Sequence, residues 1–400
     1  MFFWQELTVR SKVYPLEALR DIITLGFILQ LEPMSNSVAI FSFFSGAGFL
    51  DLGFENAGFD VRFVNEYVPT FMRSYSYARQ QMGISAPIYG QHENSMPEFL
   101  EGEPSRQLGN FISDARSDSH LVGFIAGPPC PDFSVAGKNR GHEGRHGQLT
   151  SAYFNLVIQQ RPDFFVFENV KGLWSTAKHK AYYDSQLARL NLAGYATTDR
   201  LVNSLEYGAA QDRNRIILIG FNREVFGDVA SDFPWDEFTI ADKTKIMQLP
   251  WPTLSAFSTD SELAPPVGIS MQNTCQYWFD KNDVLNHPNA QKFFVPHAVD
   301  RFRSIDEGNT KGKSFKRLHR WRYSPTCAYG NNEVHLHPYK ERRISAAEAL
   351  ALQSLPASFV LPPDMPLSAM FKVIGNGVPY KVAEGVAKSI SQHISRKLFA

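Results

Sequence analysis

The chain has 400 residues, of which 44% are hydrophobic and 20% charged, and its 40 basic and 40 acidic residues give a formal net charge of zero. This ordinary apolar fraction excludes global disorder, and the length favours one large domain with a smaller one. Three cysteines are too few for a disulfide framework, which favours the cytoplasm. With no net charge, any nucleic-acid-binding surface must be a local basic patch.

Residues 1–37 are predicted to form an N-terminal extension with one amphipathic helix. Its most apolar part, residues 16–31, carries Arg20 and Asp21, and the uncharged remainder is too short to span a bilayer. It lacks the basic start and the small-residue cleavage site of a signal peptide. We therefore expect no membrane segment, and an extension that packs on the body or on a partner.

A predicted strand, residues 38–44, leads into a glycine loop, residues 45–48, and then into a helical pattern. A second predicted strand, residues 61–65, ends in Glu66, about twenty positions beyond the loop, a spacing that suits a ribose diol. The third glycine of the dinucleotide fingerprint is missing. Loop and acid together therefore indicate a nucleoside ligand without phosphates, such as S-adenosylmethionine, while a plain turn is the alternative.

The apolar run 121–126 ends at Gly-Pro-Pro and places Cys130 at the carboxyl end of a buried strand, where open α/β sheets bind ligands. Cys130 is either a nucleophile or a small buried residue, and its position alone leaves both open. Cys275 and Cys327 are solitary and no C-x-x-C spacing exists. The sequence therefore predicts no metal site.

Polar groups follow two further predicted strands. Residues 164–167 carry Glu168 to the same edge as Cys130, where its carboxylate either caps the next turn or has a chemical role. Arg213 and Arg215 alternate before another strand, which indicates a shared anionic partner or a solvated pair. The basic glycine-rich segment 138–147 is a connector or a lid.

From about residue 225 the sequence becomes rich in proline and aromatic residues, which indicates a domain boundary. Residues 311–322 concentrate lysines and arginines with interleaved aromatics, a pattern that favours contact with phosphates over a merely solvated face. Near the end, Gly375-Asn376-Gly377 precedes a long predicted helix. That helix either packs at the terminus or brings backbone donors to a ligand.

In this order, the segments resemble those of the DNA cytosine-5 methyltransferases. The resemblance covers residues 38–221 and 339–400 and implies an α/β fold: a Rossmann-like S-adenosylmethionine-dependent methyltransferase fold, with a mostly parallel sheet, helices on both faces and a smaller irregular target-recognition domain. We expect the N-terminal extension at 1–37, the catalytic domain at 38–224, completed by 368–400, and the target-recognition domain and hinge at 225–367. The matching segments are residues 44–48, Glu66, 128–130, 168–170, 211–215, 343–353 and 375–379.

The resemblance also implies roles for the reacting residues. Cys130 would add to C6 of cytosine, Glu168 would protonate N3, and Arg215, with Arg213 as a second candidate, would hold the base carbonyl oxygen or flanking phosphates. The base would be flipped out of the duplex. For the methyl donor, S-adenosyl-L-methionine, the implied contacts are Phe44, Ser45, Gly46, Gly48, Glu66, Tyr67, Asn94, Pro128 and Asn376.

Several positions depart from the family pattern. Ser42 stands where an aspartate is frequent, Phe49 where a glycine is common, and Asn94 is the candidate for an expected aspartate at the adenine amine. Pro131 and His146 replace a usual glutamine and arginine.

The predicted activity is site-specific methylation of cytosine C5 in duplex DNA by a cytoplasmic enzyme. We expect it to be monomeric on DNA and to protect sites from a cognate restriction endonuclease. An RNA cytosine-5 methyltransferase on the same fold and a catalytically silent DNA-binding homologue are the alternatives. An amino-group methyltransferase is disfavoured because the strand ends in Gly-Pro-Pro-Cys rather than Asn/Asp-Pro-Pro-aromatic.

Overall fold

A computed structural model of the chain describes residues 38–118, 120–129, 145–295, 299–312, 315–327, 329 and 335–398, without the side chains of 145, 146 and 398. The predicted extension 1–37, Cys130, Pro131 and most of the predicted lid lie outside the described residues. Within the described part, no helix combines the length and apolar character that a membrane span requires.

A seven-stranded sheet forms the centre of the molecule. Its strands are β1 (Val38–Phe43), β2 (Asp60–Asn65), β3 (Gln91–His92), β4 (Leu121–Ala126), β5 (Phe164–Val170), β6 (Tyr195–Asn203) and β8 (Asn214–Asn222), and a separate parallel pair joins β7 (Gln211–Asp212) to β9 (Ser324–Pro325). The sheet order is β3-β2-β1-β4-β5-β8-β6. The first five strands in this order run parallel, and β8 is antiparallel to both of its neighbours. This arrangement confirms the prediction of a mostly parallel sheet.

Two glycines allow aromatic side chains to lie flat against the central strands. A Cβ at Gly123 would overlap the ring of Phe164, and one at Gly220 would overlap the ring of Phe165. Strand interiors normally disfavour glycine, which contributes no side chain to the packing. Here the missing Cβ makes room for a phenylalanine on the neighbouring strand.

Helices cover both faces of the sheet, as the resemblance implied. Successive strand residues point to opposite faces, so Ile40 packs in one apolar cluster and Phe41 in another. The helices are α1 (Phe49–Asn56), α2 (Pro69–Met82), α3 (Gly102–Ser117), α4 (Arg145–Gln160), α5 (Gly172–Ser175), α6 (Ala177–Leu192), α7 (Arg223–Phe226), α8 (Lys243–Met247), α9 (Cys275–Lys281), α10 (Val299–Arg303), α11 (Ala346–Leu352), α12 (Leu367–Asn376) and α13 (Tyr380–Leu398).

The first cluster contains residues of α1, α2 and α13, and the second contains residues of α3, α4 and α6. Phe226 and Phe233 also belong to the first cluster, beside α13. The residues just after 225 therefore pack on the sheet domain. A third cluster joins α9, α11 and α12 to the start of α1, so these three helices are in direct contact with the sheet domain.

Candidate active site

Functional side chains line the carboxyl edge of the parallel strands. Along the sheet order, Asn94 follows β3, Glu66 follows β2, Phe44 follows β1, Gly127 follows β4, and Glu168 lies near the end of β5. Ligands of open α/β sheets bind at this edge. The fold therefore places the predicted donor-binding residues on one half of the edge and Glu168 on the other.

The glycine loop after β1 is held by the carboxylate of Glu66. The backbone N–H of Gly46 donates to Oε2 of Glu66 at 2.9 Å, and the N–H of Val68 donates to Oε1 at 2.8 Å. Burial raises the pKa of Glu66, and these two hydrogen bonds act in the opposite direction. Glu66 thus fixes the loop, while the remaining lone pairs of its carboxylate can accept from a ligand.

Backbone conformation also shapes this loop. Phe44, Gly46 and Gly48 all have positive φ angles, of 54°, 58° and 83°. A Cβ at Gly48 would meet the side chains of Tyr75 and Arg79, so only glycine fits there. The loop is therefore close-packed against α2 at Gly48, whereas residues 44–46 are only partly buried.

Several donor-site candidates are available to a ligand. The hydroxyl oxygen of Ser45 is buried and has no hydrogen-bond partner among the described residues, as expected of a group that a ligand would satisfy. Tyr67 is 55% exposed and Asn376 is exposed at the end of α12, whereas Pro128 is buried. A nucleoside donor thus fits the residues present.

A buried charged network lies beneath the loop and accommodates one departure from the family pattern. The hydroxyl of Ser42 donates to Oδ1 of Asp51 at 2.8 Å, and Arg79 pairs with Glu55 at 2.9 Å. Burial raises the pKa of Asp51, and the charge of Arg79 opposes that shift. Asp51 supplies a buried carboxylate next to Ser42, where the family frequently has an aspartate.

Glu168 is only 3% exposed and lies against the end of β4. Its Oε1 is 2.8 Å from Nε of Arg215, and its Oε2 would be 3.2 Å from a Cβ at Gly127. Burial raises the pKa of Glu168, while the positive charges of Arg215 and Arg213 lower it. The site therefore contains a buried carboxyl that holds its proton more tightly than an exposed glutamate does. An arginine is in contact with that carboxyl.

The two predicted arginines have different partners. Arg215 contacts Glu168, whereas Arg213 donates to the carbonyl oxygens of Gly375 and Gly377 at 3.0 and 2.9 Å. Arg213 also donates to the carbonyl of Cys327 at 3.4 Å. The described contacts of Arg213 thus position the turn before α13, and its charge acts on Glu168 at longer range.

Other residues that shape the site were not assigned in the sequence interpretation. Asn65 donates from its side chain to the carbonyls of His92 and Asn94, which joins the ends of β2 and β3. Gly127 provides the space that the carboxyl of Glu168 occupies. Both residues lie at strand ends of the ligand-binding edge, and this placement is the sequence feature from which they could have been predicted. Cys130 itself lies outside the described residues.

The prediction that the basic stretch 311–322 contacts phosphates is wrong for two of its arginines. Arg317 is fully buried and Arg320 is 5% exposed. Arg320 forms an ion pair with Glu307 at 2.8 Å, and Arg317 donates to backbone carbonyls of the same region. These side chains satisfy internal acceptors, and Lys311 remains an exposed cation of the stretch.

Known proteins resemble this chain over most of its length. The family profile for "C-5 cytosine-specific DNA methylase" matches residues 38–392. The type II methyltransferase M.NmeDI of Neisseria meningitidis serogroup C is 50% identical over 357 residues, which cover 89% of this chain and 84% of that protein. The type II methyltransferase M.NgoPII of Neisseria gonorrhoeae is 28% identical, over 90% of this chain and 97% of that protein.

Solved structures share the fold. A prophage-encoded protein of E. coli, described as a DNA modification methyltransferase, superposes with a TM-score of 0.62 at 21% identity, over 90% of this chain and all of that chain. The Dnmt2 methyltransferase of S. pombe gives a TM-score of 0.55 at 12% identity, over 91% and 100% of the two chains. At these identities the similarity concerns architecture alone.

The fold, the matched family and the carboxyl-edge site together define a Rossmann-like methyltransferase. The chain belongs to the C-5 cytosine-specific DNA methylase family. It is a DNA cytosine-5 methyltransferase of the restriction-modification type.

Proposed function

We propose that Cys130 and Glu168 act together on a cytosine flipped out of duplex DNA, with S-adenosyl-L-methionine bound along the other half of the sheet edge. The observation that carries this proposal is the placement of Glu168. Its buried carboxyl lies against Gly127, three residues before Cys130 in sequence, and in contact with Arg215. A thiol and an acid are the two groups that cytosine activation requires.

The chemistry assigns each residue a step. The thiolate of Cys130 forms a bond to C6 while Glu168 gives its proton to N3, so the ring becomes an enamine that is nucleophilic at C5. The bound donor supplies an electrophilic methyl group. C5 takes the methyl group as the methyl–sulfur bond of the donor breaks and leaves a neutral thioether. Loss of the C5 proton to water, cleavage of the C6–S bond and return of the N3 proton to Glu168 then restore the aromatic ring, the thiolate and the acid.

Arg215 has two tasks in this scheme. Its guanidinium contacts Glu168 and would hold the base carbonyl oxygen. Its positive charge would also favour the thiolate form of Cys130. Arg213 would act through the turn at Gly375 and Gly377 rather than by touching the base.

The donor would lie over the glycine loop. Glu66 would bind the ribose hydroxyls, Phe44 would stack on adenine and Tyr67 would cover the ring. The unpartnered hydroxyl of Ser45, with Gly46, Gly48, Pro128 and Asn376, would surround the remainder of the molecule. We further propose a monomeric cytoplasmic enzyme that protects its sites from a cognate restriction endonuclease.

Nucleoside mass spectrometry tests the reaction. Duplex DNA incubated with the protein and the methyl donor should contain 5-methylcytosine, and Cys130→Ala should produce none. Single-stranded RNA and transfer RNA serve as substrate controls. Formation of N4-methylcytosine or N6-methyladenine, or equal 5-methylcytosine with Cys130→Ala, would contradict the proposal.

A further inference from the structure

Asn94 occupies the edge position where the family resemblance implies an aspartate at the adenine amine. An asparagine amide has both a donor and an acceptor, so it can select an amine only when its oxygen faces the ligand. Its Nδ2 donates to Oε2 of Glu98 at 2.8 Å, and its backbone carbonyl accepts from Nδ2 of Asn65 at 2.8 Å. The side chain and the backbone of Asn94 are therefore both held.

Glu98 is itself fixed by a capping box on the 3-10 helix Met96–Leu100. Its Oε1 accepts from the backbone N–H of Ser95 at 3.0 Å and from the hydroxyl of Ser95 at 2.6 Å. These hydrogen bonds and the one from Asn94 lower the pKa of Glu98, so the carboxylate is ionised and can only accept. The NH₂ group of Asn94 must consequently face Glu98, and its Oδ1 must point away.

We infer that Glu98 is a positioning residue that sets the amide of Asn94 with its oxygen toward the donor and thereby selects a purine with an amine at position 6. This inference rests on the proposed donor site. An adenine amine donates to Oδ1, whereas the carbonyl oxygen of hypoxanthine would face Oδ1 as a second acceptor. Glu98 prevents the amide from turning over to present its NH₂ group instead.

The same contact explains why an asparagine suits this position. An aspartate here would place two carboxylates about as far apart as the present 2.8 Å contact between Asn94 and Glu98, which like-charge repulsion disfavours. The pair formed by one amide and one carboxylate presents a single outward acceptor without that repulsion. The two residues together present the single acceptor that the family resemblance assigns to an aspartate.

Calorimetric binding of two product analogues, S-adenosylhomocysteine and S-inosylhomocysteine, tests the inference. The wild-type protein should prefer the adenosyl compound by about tenfold or more, the equivalent of one well-placed hydrogen bond and one avoided repulsion. In Glu98→Ala the amide can turn. Inosyl binding should then strengthen while adenosyl binding weakens, so that the ratio falls at least about fivefold.

Matched variants separate positioning from folding. Ser95→Ala removes the hydroxyl half of the capping box but keeps the backbone N–H bond from residue 95 to Glu98 and the contact between Asn94 and Glu98, so its ratio should stay near the wild-type value. Combining Asn94→Asp with Glu98→Ala should restore the adenosyl preference, because an aspartate accepts in either orientation. A gain of inosyl affinity is a result that simple loss of structure does not produce.

The outcomes distinguish two failures. An unchanged ratio in Glu98→Ala, with a lowered ratio in Asn94→Ala, would overturn the role of Glu98 and leave the proposed donor site standing. An unchanged ratio in Asn94→Ala would overturn the assignment of the amine to Asn94. No binding of S-adenosylhomocysteine to the wild-type protein would instead contradict the proposed donor site itself.

Discussion

The sheet domain and residues 243–345 satisfy their buried backbone groups in different ways. In the sheet, N–H and C=O groups pair with neighbouring strands over registers of up to nine residue pairs. In residues 243–345, the described strand is two residues long and the helices span at most seven residues. Backbone groups there pair with each other across irregular segments, and several pair with a buried side chain, for example the carbonyls of Phe302, Ile305, His337 and Lys340 with Arg317.

The two regions also differ in how the buried charges at Glu168 and Arg317 are surrounded. The carboxyl of Glu168, at the sheet edge, lies where strand pairing already satisfies the backbone, and we propose that it acts in the reaction. In residues 243–345, which we call the second region, the buried charges of Arg317 and of the Arg320–Glu307 pair hold the region together. A basic residue in an irregular region is therefore weak support for phosphate binding until its burial is known.

Replacing Glu168 should give the largest effect, and it should affect activity far more than stability. Glu168→Gln cannot protonate N3, so the methylation rate in single turnover should fall about 10²- to 10⁴-fold. Urea denaturation should show little loss of stability, because the amide retains the shape of the side chain. Loss of folding together with activity would contradict the separation between the two regions.

The pH profile of the same reaction tests the direction of the pKa shift of Glu168. Because burial raises the pKa of Glu168, its proton is retained to higher pH than in an exposed glutamate and is lost as pH rises through the raised value. The wild-type rate should therefore decline on the alkaline side, and Glu168→Gln should lack that decline. If the alkaline decline persisted unchanged in Glu168→Gln, the decline would have to come from the titration of another group.

Replacing Arg317 should have the next largest effect, on stability. Arg317→Met removes the donor to four backbone carbonyls, and each buried carbonyl left unpaired costs about 1–3 kcal/mol. We expect the free energy of unfolding to fall by about 3–5 kcal/mol in urea denaturation. Arg301→Met is the matched control, because Arg301 is exposed on α10 and its loss should cost less than about 1 kcal/mol. Equal stability of the two variants would show that Arg317 is not a structural residue.

Replacing Lys311 should have the smallest effect and should concern DNA alone. If this exposed lysine contacts one phosphate, Lys311→Gln should reduce the slope of log affinity against log salt by about 0.9. Unfolding should be unchanged. Lys397→Gln is the control, because Lys397 pairs with Asp232 at 2.9 Å on the surface of α13, and its slope should match the wild type. An unchanged slope for Lys311→Gln would contradict a phosphate contact of this lysine.

Sequence patterns predicted the sheet domain well because its strands are short apolar runs that end in polar or glycine residues. Phe44, Glu66 and Glu168 were found because each follows such a run, and the parallel topology brings those ends together. The second region could not be predicted in this way, because its structure depends on contacts distant in sequence. Arg320 donates to Ser261, and Asn289 pairs with Leu361, across 59 and 72 positions.

Orientation was the other property that the sequence did not contain. Arg213 and Arg215 are two residues apart and were predicted to face a shared anionic partner, yet one donates to the backbone near α13 and the other contacts Glu168. Arg213 lies in the break between β7 and β8, whereas Arg215 lies within β8. Asn94 likewise required the position of Glu98 before its acceptor could be assigned a direction.

The central claim is that the thiol of Cys130 and the carboxyl of Glu168 act on one cytosine ring, and mechanism-based trapping measures this most directly. A library of duplexes containing 5-fluorocytosine is incubated with the protein and the methyl donor. The protein is then digested and its peptides are analysed by mass spectrometry. Fluorine at C5 cannot leave as a proton does, so a methylated fluorocytosine should remain attached to the peptide that contains Cys130, and Glu168→Gln should form it far more slowly. Absence of an adduct on every duplex, or the same adduct yield from Cys130→Ala, would contradict the account.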